Sequence, residues 1–361
     1  MKTRKLLNLA LSMVAILSVT IIGCKKDMDS IRPDPNIGQM NPGLKASATG
    51  SVVSAGTVVN GDYYGNVGMS SANSLTLKVT VTTVGTYNIC SNVVNGYSFA
   101  KSGTFTSTGT QLVTLPATGI PLTTGINSFS VTFGTSCSYK VVVVSNRPVI
   151  QNTCNTSYTY FEVANQKTQK VWLDRNLGAS RVAQSATDYQ SYGSLFQWGR
   201  LADNHQCINW TDSYTGTAVN GVTTTTSVSN TPANSLFVKT IQAPYDWKVP
   251  QNNNLWQGVS GINNPCPSGY RIPTSTELTT EVNSWTTKNT AGAYGSSLKW
   301  TVAGYRDFPD GGVYDSGNTG AYWSSTVSNS SKATLLWFSA SEGYTMSDFR
   351  AVGYSVRCIK N

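Results

Sequence analysis

Apolar and polar residues alternate through much of residues 50 to 146, and this alternation restricts that part of the chain to β-structure. In the stretch LTLKVTV, residues 75 to 81, the odd-numbered positions are Leu or Val and the even-numbered positions are Thr or Lys. Successive side chains of a strand point to opposite faces, so each such strand has one buried face and one solvated face. Glycine turns separate the strands about every 8 to 12 residues, which is typical of an all-β sandwich. We therefore predict a β-sandwich for residues 50 to 146.

The first 23 residues have the pattern of a secretory signal peptide. A basic start is followed by an apolar run from residue 6 to residue 22, and then by Gly23 and Cys24. The run is short for a membrane-spanning helix, which needs about 20 predominantly apolar residues. Its ending, IIGC, resembles the bacterial lipobox, in which the cysteine becomes the acylated N-terminus after cleavage. We predict a lipid anchor at Cys24; the alternative is an ordinary signal peptide with a cysteine here by chance.

The residues that follow Cys24 predict where the protein is sent and how it is attached. The sequence KKDMD resembles the short export tags of Bacteroidota-type lipoproteins, which are carried to the outer membrane and often to its outer face. Residues 24 to 49 contain several Pro, Gly and Asn residues without periodicity, so we predict a flexible tether. We expect an outer-membrane lipoprotein that is exposed at the cell surface and contacts the membrane through its lipid.

Six cysteines remain after Cys24, and an even number in an oxidising compartment predicts disulfides. They are Cys90, Cys137, Cys154, Cys207, Cys266 and Cys358. Cys90 and Cys137 both lie in strand-like segments of the predicted sandwich, so we pair them with each other. No two cysteines have CxxC spacing and His205 is the only histidine, so a zinc site of the usual Cys and His kind is not expected.

The charge of the chain argues against nucleic acid as a partner. The formal net charge is +9, but only 12% of the residues are charged and no basic cluster is visible along the chain. Proteins that bind nucleic acid concentrate Lys and Arg on one face or one helix. The composition is that of a polar secreted surface, and we expect no nucleic-acid partner.

Residues 147 to 361 differ in composition from the predicted sandwich, because all nine tryptophans lie between Trp172 and Trp337. The segment is long enough for one substantial core. We predict two helices in it. One begins near Tyr189, and the other follows Thr274, which forms a capping box with Glu277.

Six motifs of this second region occur in order and resemble those of the Fibrobacter succinogenes major paralogous domain. They are VWLDRNLGASR, YGSLFQWGR, NPCPSGYRIPTSTEL, AGYRD, GAYWSST and the terminal GYSVRCIKN. The resemblance covers Tyr158 to Asn361 and implies a C-type lectin-like fold of the α+β class, with short strands, two helices and long loops. The sandwich before it resembles the immunoglobulin-like spacer modules of bacterial surface proteins. The first resemblance implies export and a fold, but no general biochemical activity.

The implied lectin-like fold brings the ends of the domain together, where a cysteine near a helix commonly bridges to the last strand. It therefore implies a disulfide between Cys266 and Cys358, which closes a loop of 92 residues. A loop of that length contributes about 4 to 5 kcal/mol in the chain-entropy model. Cys154 and Cys207 are then left to pair with each other. The alternative for Cys266 is a reactive nucleophile, which needs a base nearby, and only His205 is available as a histidine.

Two sets of residues are candidates for ligand binding. Trp210, Trp247 and Trp256 lie in loop-like sequence, where an indole can stack on a sugar ring, although burial in the core is the competing interpretation. The stretch RDFPDGGVYDSGNTG carries oxygen ligands that could hold calcium, namely Asp307, Asp310, Asp315 and Asn318. It lacks the calcium and sugar motifs of true C-type lectins, and Asp, Asn and Gly also favour ordinary turns. We expect no cofactor, and calcium only as the less favoured possibility.

The sequence predicts a binding protein rather than an enzyme. A serine triad would need His205, and no glycine-rich phosphate loop or dinucleotide fingerprint is present. We expect a surface-anchored lipoprotein that presents a lectin-like adhesion module to glycans or surface proteins. The alternative is a structural envelope or matrix component without a specific small ligand. Exposed, clustered tryptophans would favour binding, and buried ones would favour the structural alternative.

Overall fold

A computed structural model describes residues 46 to 361. The predicted signal peptide, the lipid anchor at Cys24 and the tether up to residue 45 lie outside the described residues. The described chain is mostly β-sheet with two short α-helices. Neither helix of this part of the chain is long and apolar enough to cross a membrane.

Eight strands form the N-terminal half, and their bounds follow the alternating sequence pattern. The strands are Thr49–Asn60 (β1), Tyr63–Tyr64 (β2), Ser74–Thr83 (β3), Gly85–Cys90 (β4), Tyr97–Phe105 (β5), Gly109–Gly119 (β6), Gly125–Phe133 (β7) and Thr135–Val144 (β8). One sheet has the order β1-β3-β6-β5-β4 and the other has the order β2-β8-β7. Leu75, Leu77 and Val79 of β3 are fully buried, as the alternation predicts. They belong to one apolar core to which both sheets contribute, since it also holds Phe129 and Val141.

The predicted disulfide between Cys90 and Cys137 is wrong, because Cys137 carries a free thiol. Strand β7 separates the two cysteines: Ser91, next to Cys90, bridges to Val131 of β7, and Val131 lies opposite Cys137 of β8. Neighbouring strands are about 4.8 Å apart, so two strand spacings place the residues about 10 Å apart. A disulfide needs Cα atoms within about 7 Å of each other. Strand-like context alone did not reveal the intervening strand.

The C-terminal half contains many short strands and the two helices. The strands are Val149–Thr153 (β9), Thr156–Tyr160 (β10), Glu162–Asn165 (β11), Lys170–Leu173 (β12), Leu195–Gln197 (β13), Ile208–Trp210 (β14), Gly216–Ala218 (β15), Val222–Thr223 (β16), Phe237–Val238 (β17), Tyr270–Arg271 (β18), Tyr305–Arg306 (β19), Val313–Tyr314 (β20), Gly320–Val327 (β21), Lys332–Phe338 (β22), Gly343–Phe349 (β23), Gly353–Ser355 (β24) and Ile359–Lys360 (β25). The helices are Ser275–Ser284 (α1) and Thr290–Gly295 (α2). The largest sheet has the order β20-β19-β24-β21-β22-β23, with β13 added on β24.

The last strand of this half, β25, pairs with β12, which lies near its beginning. A smaller sheet has the order β11-β12-β25-β18, in which Trp172 lies opposite Ile359. The structure contains the Cys266–Cys358 disulfide that the lectin-like resemblance implies, and it joins the loop before β18 to the residue just before β25. It also contains the remaining pair, Cys154–Cys207, which joins the turn after β9 to the loop before β14. The ends of the domain are therefore held by strand pairing and by a covalent bond.

One of the two predicted helices is present. Helix α1 begins after Thr274, whose hydroxyl accepts a hydrogen bond from the backbone N–H of Glu277, while the Glu277 carboxylate accepts one from the backbone N–H of Thr274. The helix predicted near Tyr189 is wrong, since only a single 3-10 turn, Tyr189–Ser191, forms there. The chain then enters β13, which pairs with the distant strand β24, so tertiary pairing overrides the local pattern.

Buried arginines hold the long loops of this half in place. Arg306 donates to the backbone carbonyl oxygens of Gly311, His205 and Asn220 at 2.9, 2.8 and 3.2 Å, and its guanidinium lies 4.1 Å from the centre of the Phe237 ring. Loops with few ladder hydrogen bonds leave carbonyl groups that need donors. The guanidinium of Arg306 supplies donors to three such carbonyl groups, so Arg306 is an internal capping residue.

Candidate functional site

The tryptophans predicted to bind a ligand are packed inside the protein. Trp247 and Trp256 are fully buried, and their indole nitrogens donate to the carbonyl oxygens of Trp198 and Asn263 at 2.7 and 2.9 Å. Trp210 is partly buried, and its indole donates to the carbonyl oxygen of Gly193 at 2.7 Å. These three side chains therefore do not form an exposed stacking platform. The long loops need large side chains to anchor them, and that need explains their burial.

The four residues proposed to hold calcium do not converge on one point. Asp310 accepts hydrogen bonds from the Tyr314 hydroxyl at 2.5 Å and from the backbone N–H of Gly312 at 2.8 Å. Asp315 has a φ of 54° and its carbonyl oxygen accepts from Asn318, which is turn geometry. Within residues 46 to 361, no group of three or more His, Cys, Asp or Glu residues is arranged to hold a metal ion. Asp307, one of the four, lines a groove on the largest sheet.

His205 is a buried structural residue in this fold. Its Nδ1 lies 2.6 Å from Oδ1 of Asp203, and its Nε2 accepts a hydrogen bond from the backbone N–H of Gln197 at 3.1 Å. An Nε2 that accepts is unprotonated, so the ring is neutral and donates from Nδ1 to Asp203. Burial, followed by the charge of Arg200, lowers the pKa of His205 to about 3. Both ring nitrogens are occupied and the side chain has no exposed surface, so His205 cannot serve a reactive serine or Cys266 as a base.

An open groove of about 410 Å³ lies on one face of the largest sheet, and we call it the aromatic–carboxylate groove. It combines aromatic rings, two carboxylates and a few aliphatic groups. Its lining residues are Tyr305, Asp307, Phe308, Trp337, Tyr344, Met346, Asp348, Val352 and Tyr354. Tyr344 and Met346 are 44% and 36% exposed, so the groove is accessible from solvent.

The edge strand β23 supplies one wall of the groove through its period-two pattern. Tyr344, Met346 and Asp348 alternate along β23 and therefore point to the same face of the sheet. On the neighbouring strand β22, Trp337 lies directly opposite Tyr344, and the centres of their rings are 5.4 Å apart. Since β23 is the last strand of its sheet, this wall borders solvent. The exposed wall thus presents a pair of aromatic rings.

The opposite wall comes from β19 and β24. Hydrogen bonds fix the two carboxylates of the groove, which are Asp348 of β23 and Asp307 directly after β19. Asp348 Oδ2 accepts from the Tyr354 hydroxyl at 2.7 Å, and its Oδ1 accepts from the backbone N–H of Phe349 at 2.7 Å. Asp307 Oδ1 accepts from the backbone N–H of Phe308 at 2.9 Å. Both carboxylates are therefore oriented before any ligand binds.

The groove is electronegative. Burial raises the pKa of Asp307, and the charges of Asp310 and Asp348 raise it further. Burial likewise raises the pKa of Tyr305, which also senses Asp307 and Asp348. The carboxylates therefore repel one another, and the field in the groove is negative although the chain carries a formal net charge of +9. Aromatic faces and carboxylate oxygens together can hold polar ring-shaped ligands or cationic groups.

Sequence analysis identified Asp307 but not the rest of this groove. The stretch GYTMSDF, residues 343 to 349, places an aromatic residue, a methionine and an acid on one face of a strand, and this alternation was the available signal. This strand, β23, pairs with β22, the strand that precedes it in the chain, and the pairing brings it beside Trp337. Tyr305 and Asp307 come from a segment further away in the sequence, so local pattern could not add them to the groove.

A second cavity, of about 280 Å³, lies where the N-terminal sheets meet the C-terminal half. Two of its polar side chains, Asn165 and Gln166, already form hydrogen bonds with the protein. Gln166 exchanges two hydrogen bonds with the backbone of Val142 at 2.7 and 2.9 Å, and Asn165 donates to Glu281 and Ser284 at 2.7 and 2.9 Å. The contact between Gln166 and Val142 joins the two halves, so we assign this cavity to the junction.

Comparison of the chain with protein-family models, with curated proteins and with solved structures finds no match.

Proposed function

We propose that the protein is a non-catalytic binding module that holds a saccharide in the aromatic–carboxylate groove. The observation that carries the proposal is an aromatic wall, formed by Trp337 and Tyr344, in the same groove as two oriented carboxylates. The flat rings can cover the C–H face of a sugar ring, while Asp307 and Asp348 accept hydrogen bonds from hydroxyl groups. Binding sites commonly combine apolar walls with a few placed polar groups in this way.

The alternative is a structural envelope component whose domain only packs against its neighbours. The burial of Trp247 and Trp256 favours that alternative, because it removes the stacking platform expected from the sequence. The groove favours binding, since it offers an accessible aromatic wall elsewhere in the same domain. Its exposed Tyr344 and Met346 are not needed to fill a core.

We further propose that this module is an immunoglobulin-like spacer followed by a C-type lectin-like domain of the Fibrobacter succinogenes major paralogous kind. The pairing of β12 with β25 and the Cys266–Cys358 disulfide support this proposal, because both bring the ends of the domain together. A lipid on Cys24 would hold the protein on the outer membrane, facing outward. The mass of the mature N-terminal peptide and its loss of acyl chains in Cys24→Ser would test the anchor.

The binding proposal is tested with the oxidised full chain on an array of glycans and cell-surface polysaccharides. We expect saturable binding that is lost in Tyr344→Ala, a partly exposed residue whose removal should leave the core intact. Tyr214→Ala is the matched control, because Tyr214 is 67% exposed and lies outside the groove.

The remaining outcomes separate the alternatives. A folded protein that binds no glycan would refute the proposal and favour the structural component. If a chelator abolished binding, the hypothesis of a metal site in the loop of residues 307 to 318 would be supported again. If new reducing ends were released from a bound polysaccharide, the protein would be a hydrolase and not a binding module, with the two groove carboxylates as the acid and base.

A further inference from the structure

The two groove carboxylates have no cationic partner within the described residues. No Lys, Arg or His lines the groove, and Asp307 and Asp348 take part in none of the ion pairs that the structure of residues 46 to 361 contains. Other acids of the same fold are paired, for example Glu277 with Arg271 at 2.8 Å. Both acids are partly buried, and a carboxylate without a countercharge attracts a ligand that supplies one.

Asp307 is the carboxylate with a free acceptor. Its Oδ1 accepts from the backbone N–H of Phe308, and no group of the described chain donates to its Oδ2. Both oxygens of Asp348, in contrast, already accept hydrogen bonds. Burial and the neighbouring negative charges raise the pKa of Asp307, and a bound cation would reverse the effect of those charges. The Oδ2 atom of Asp307 is therefore free to accept a hydrogen bond from a ligand.

The aromatic lining determines which kind of cation fits. Calcium takes six to eight oxygen ligands, and the groove offers two carboxylates among rings and aliphatic groups, which is too few. An organic ammonium group needs only one charged acceptor, and it is attracted to the faces of aromatic rings within about 6 Å. Trp337 and Tyr344 offer such faces, and they also offer the flat surface that a sugar ring covers.

We propose that the ligand is an amino sugar with a free, protonated amine, whose ammonium group donates to Asp307 while its ring lies against Trp337 and Tyr344. This inference rests on the proposed saccharide-binding function and names the class of saccharide. A neutral, N-acetylated sugar would leave the charge of Asp307 uncompensated, and it would therefore bind more weakly.

Calorimetric titration of the oxidised full chain with a glucosamine tetramer and with its N-acetylated counterpart tests the inference. The titration is carried out at a pH where the free amine is protonated. We expect the glucosamine tetramer to bind at least about tenfold more tightly, which is the size of one charge-assisted hydrogen bond. Its affinity should fall as salt is added, since the attraction is partly electrostatic.

Asp307→Asn keeps the shape of the side chain and removes its charge. We expect this variant to lose about tenfold in affinity for the glucosamine tetramer and to change little towards the acetylated one. Glu342→Gln is the matched control: it removes the same charge from an exposed position in the turn between β22 and β23, outside the groove lining, and it should bind like the wild type.

The outcomes distinguish this inference from the proposed function. Equal affinity for the two tetramers, unchanged in Asp307→Asn, would overturn the amino-sugar inference and leave saccharide binding intact. Binding of neither tetramer nor any other glycan would overturn both. Binding of a lysine-rich peptide alone, lost in Asp307→Asn, would show that the groove selects a cationic protein segment, and it would also overturn the amino-sugar inference.

Discussion

The buried pair of His205 and Asp203 predicts a specific loss of stability in acid. The pKa of His205 is lowered to about 3 in the folded protein, because the ring is buried and lies near Arg200. An unfolded chain has a histidine pKa of about 6.5, so acid protonates the unfolded chain first and draws the equilibrium towards it. The stabilisation by neutral His205 is complete above about pH 6.5 and is lost progressively as the pH falls towards about 3.

The magnitude follows from the separation of the two pKa values. At about pH 4 the unfolded state has gained nearly all of its proton and the folded state almost none, a difference of about 2.5 pKa units. Each unit corresponds to about 1.4 kcal/mol, so His205 alone removes about 3 kcal/mol between neutral pH and about pH 4. Asp203, with its pKa lowered to about 2, loses its own contribution mainly below that range.

The assay compares the wild type with His205→Gln by urea unfolding under non-reducing conditions at several pH values. Other acids titrate in both proteins, so the informative quantity is the difference between the two free energies of unfolding at each pH. His205→Gln should be the less stable protein at neutral pH, and its disadvantage should shrink by about 3 kcal/mol at about pH 4. Curves that stay parallel over this range would show that His205 is not held neutral by burial, and the reasoning would fail.

Three further predictions concern the same domain. Burial raises the pKa of Asp246 to about 6 although Arg350 lies 3.7 Å away, so acid should stabilise the fold through this group. From neutral pH to about pH 4, the free energy of unfolding of the wild type should rise by about 2 kcal/mol relative to that of Asp246→Asn. Equal pH profiles of the two proteins would contradict this prediction. Replacing both Cys266 and Cys358 by Ser should lower the free energy of unfolding by about 4 kcal/mol in non-reducing urea titrations, and an unchanged midpoint would show that strand pairing alone holds the ends together. Trp256→Ala should lower the free energy of unfolding by about 3 to 5 kcal/mol without weakening glycan binding, because Trp256 is a core residue. A variant that stays stable but loses glycan binding would show that Trp256 belongs to the binding site.

Local sequence determined those features that depend on neighbouring residues. The capping box of Thr274 and Glu277 joins residues three positions apart, and it marks the start of α1 correctly. The alternation of residues 75 to 81 directs alternate side chains to a core whatever that core contains, and Leu75 and Leu77 are buried accordingly. Both signals act within one element, so the sequence contains all the information that they need.

Tertiary structure decided the features that depend on which strands become neighbours. The strand between Cys90 and Cys137 keeps them apart, and pairing of β13 with β24 replaces the helix predicted near Tyr189. The burial of Trp247 depends on a carbonyl oxygen of Trp198, 49 positions away. Loop context therefore could not distinguish an anchoring tryptophan from an exposed one.

The candidate site shows the same division. Sequence identified Asp307 as an acid in a turn, and the alternation in GYTMSDF determines that Tyr344 and Asp348 share a face. Only the folded sheet brings Asp307 into the same groove as that face, about 40 positions further along the chain. The sequence determines which side chains are present, but Asp307, Tyr344 and Asp348 meet only when β19, β24, β21, β22 and β23 align in one sheet. Packing of the whole core sets this long-range strand order, and no single segment contains the information.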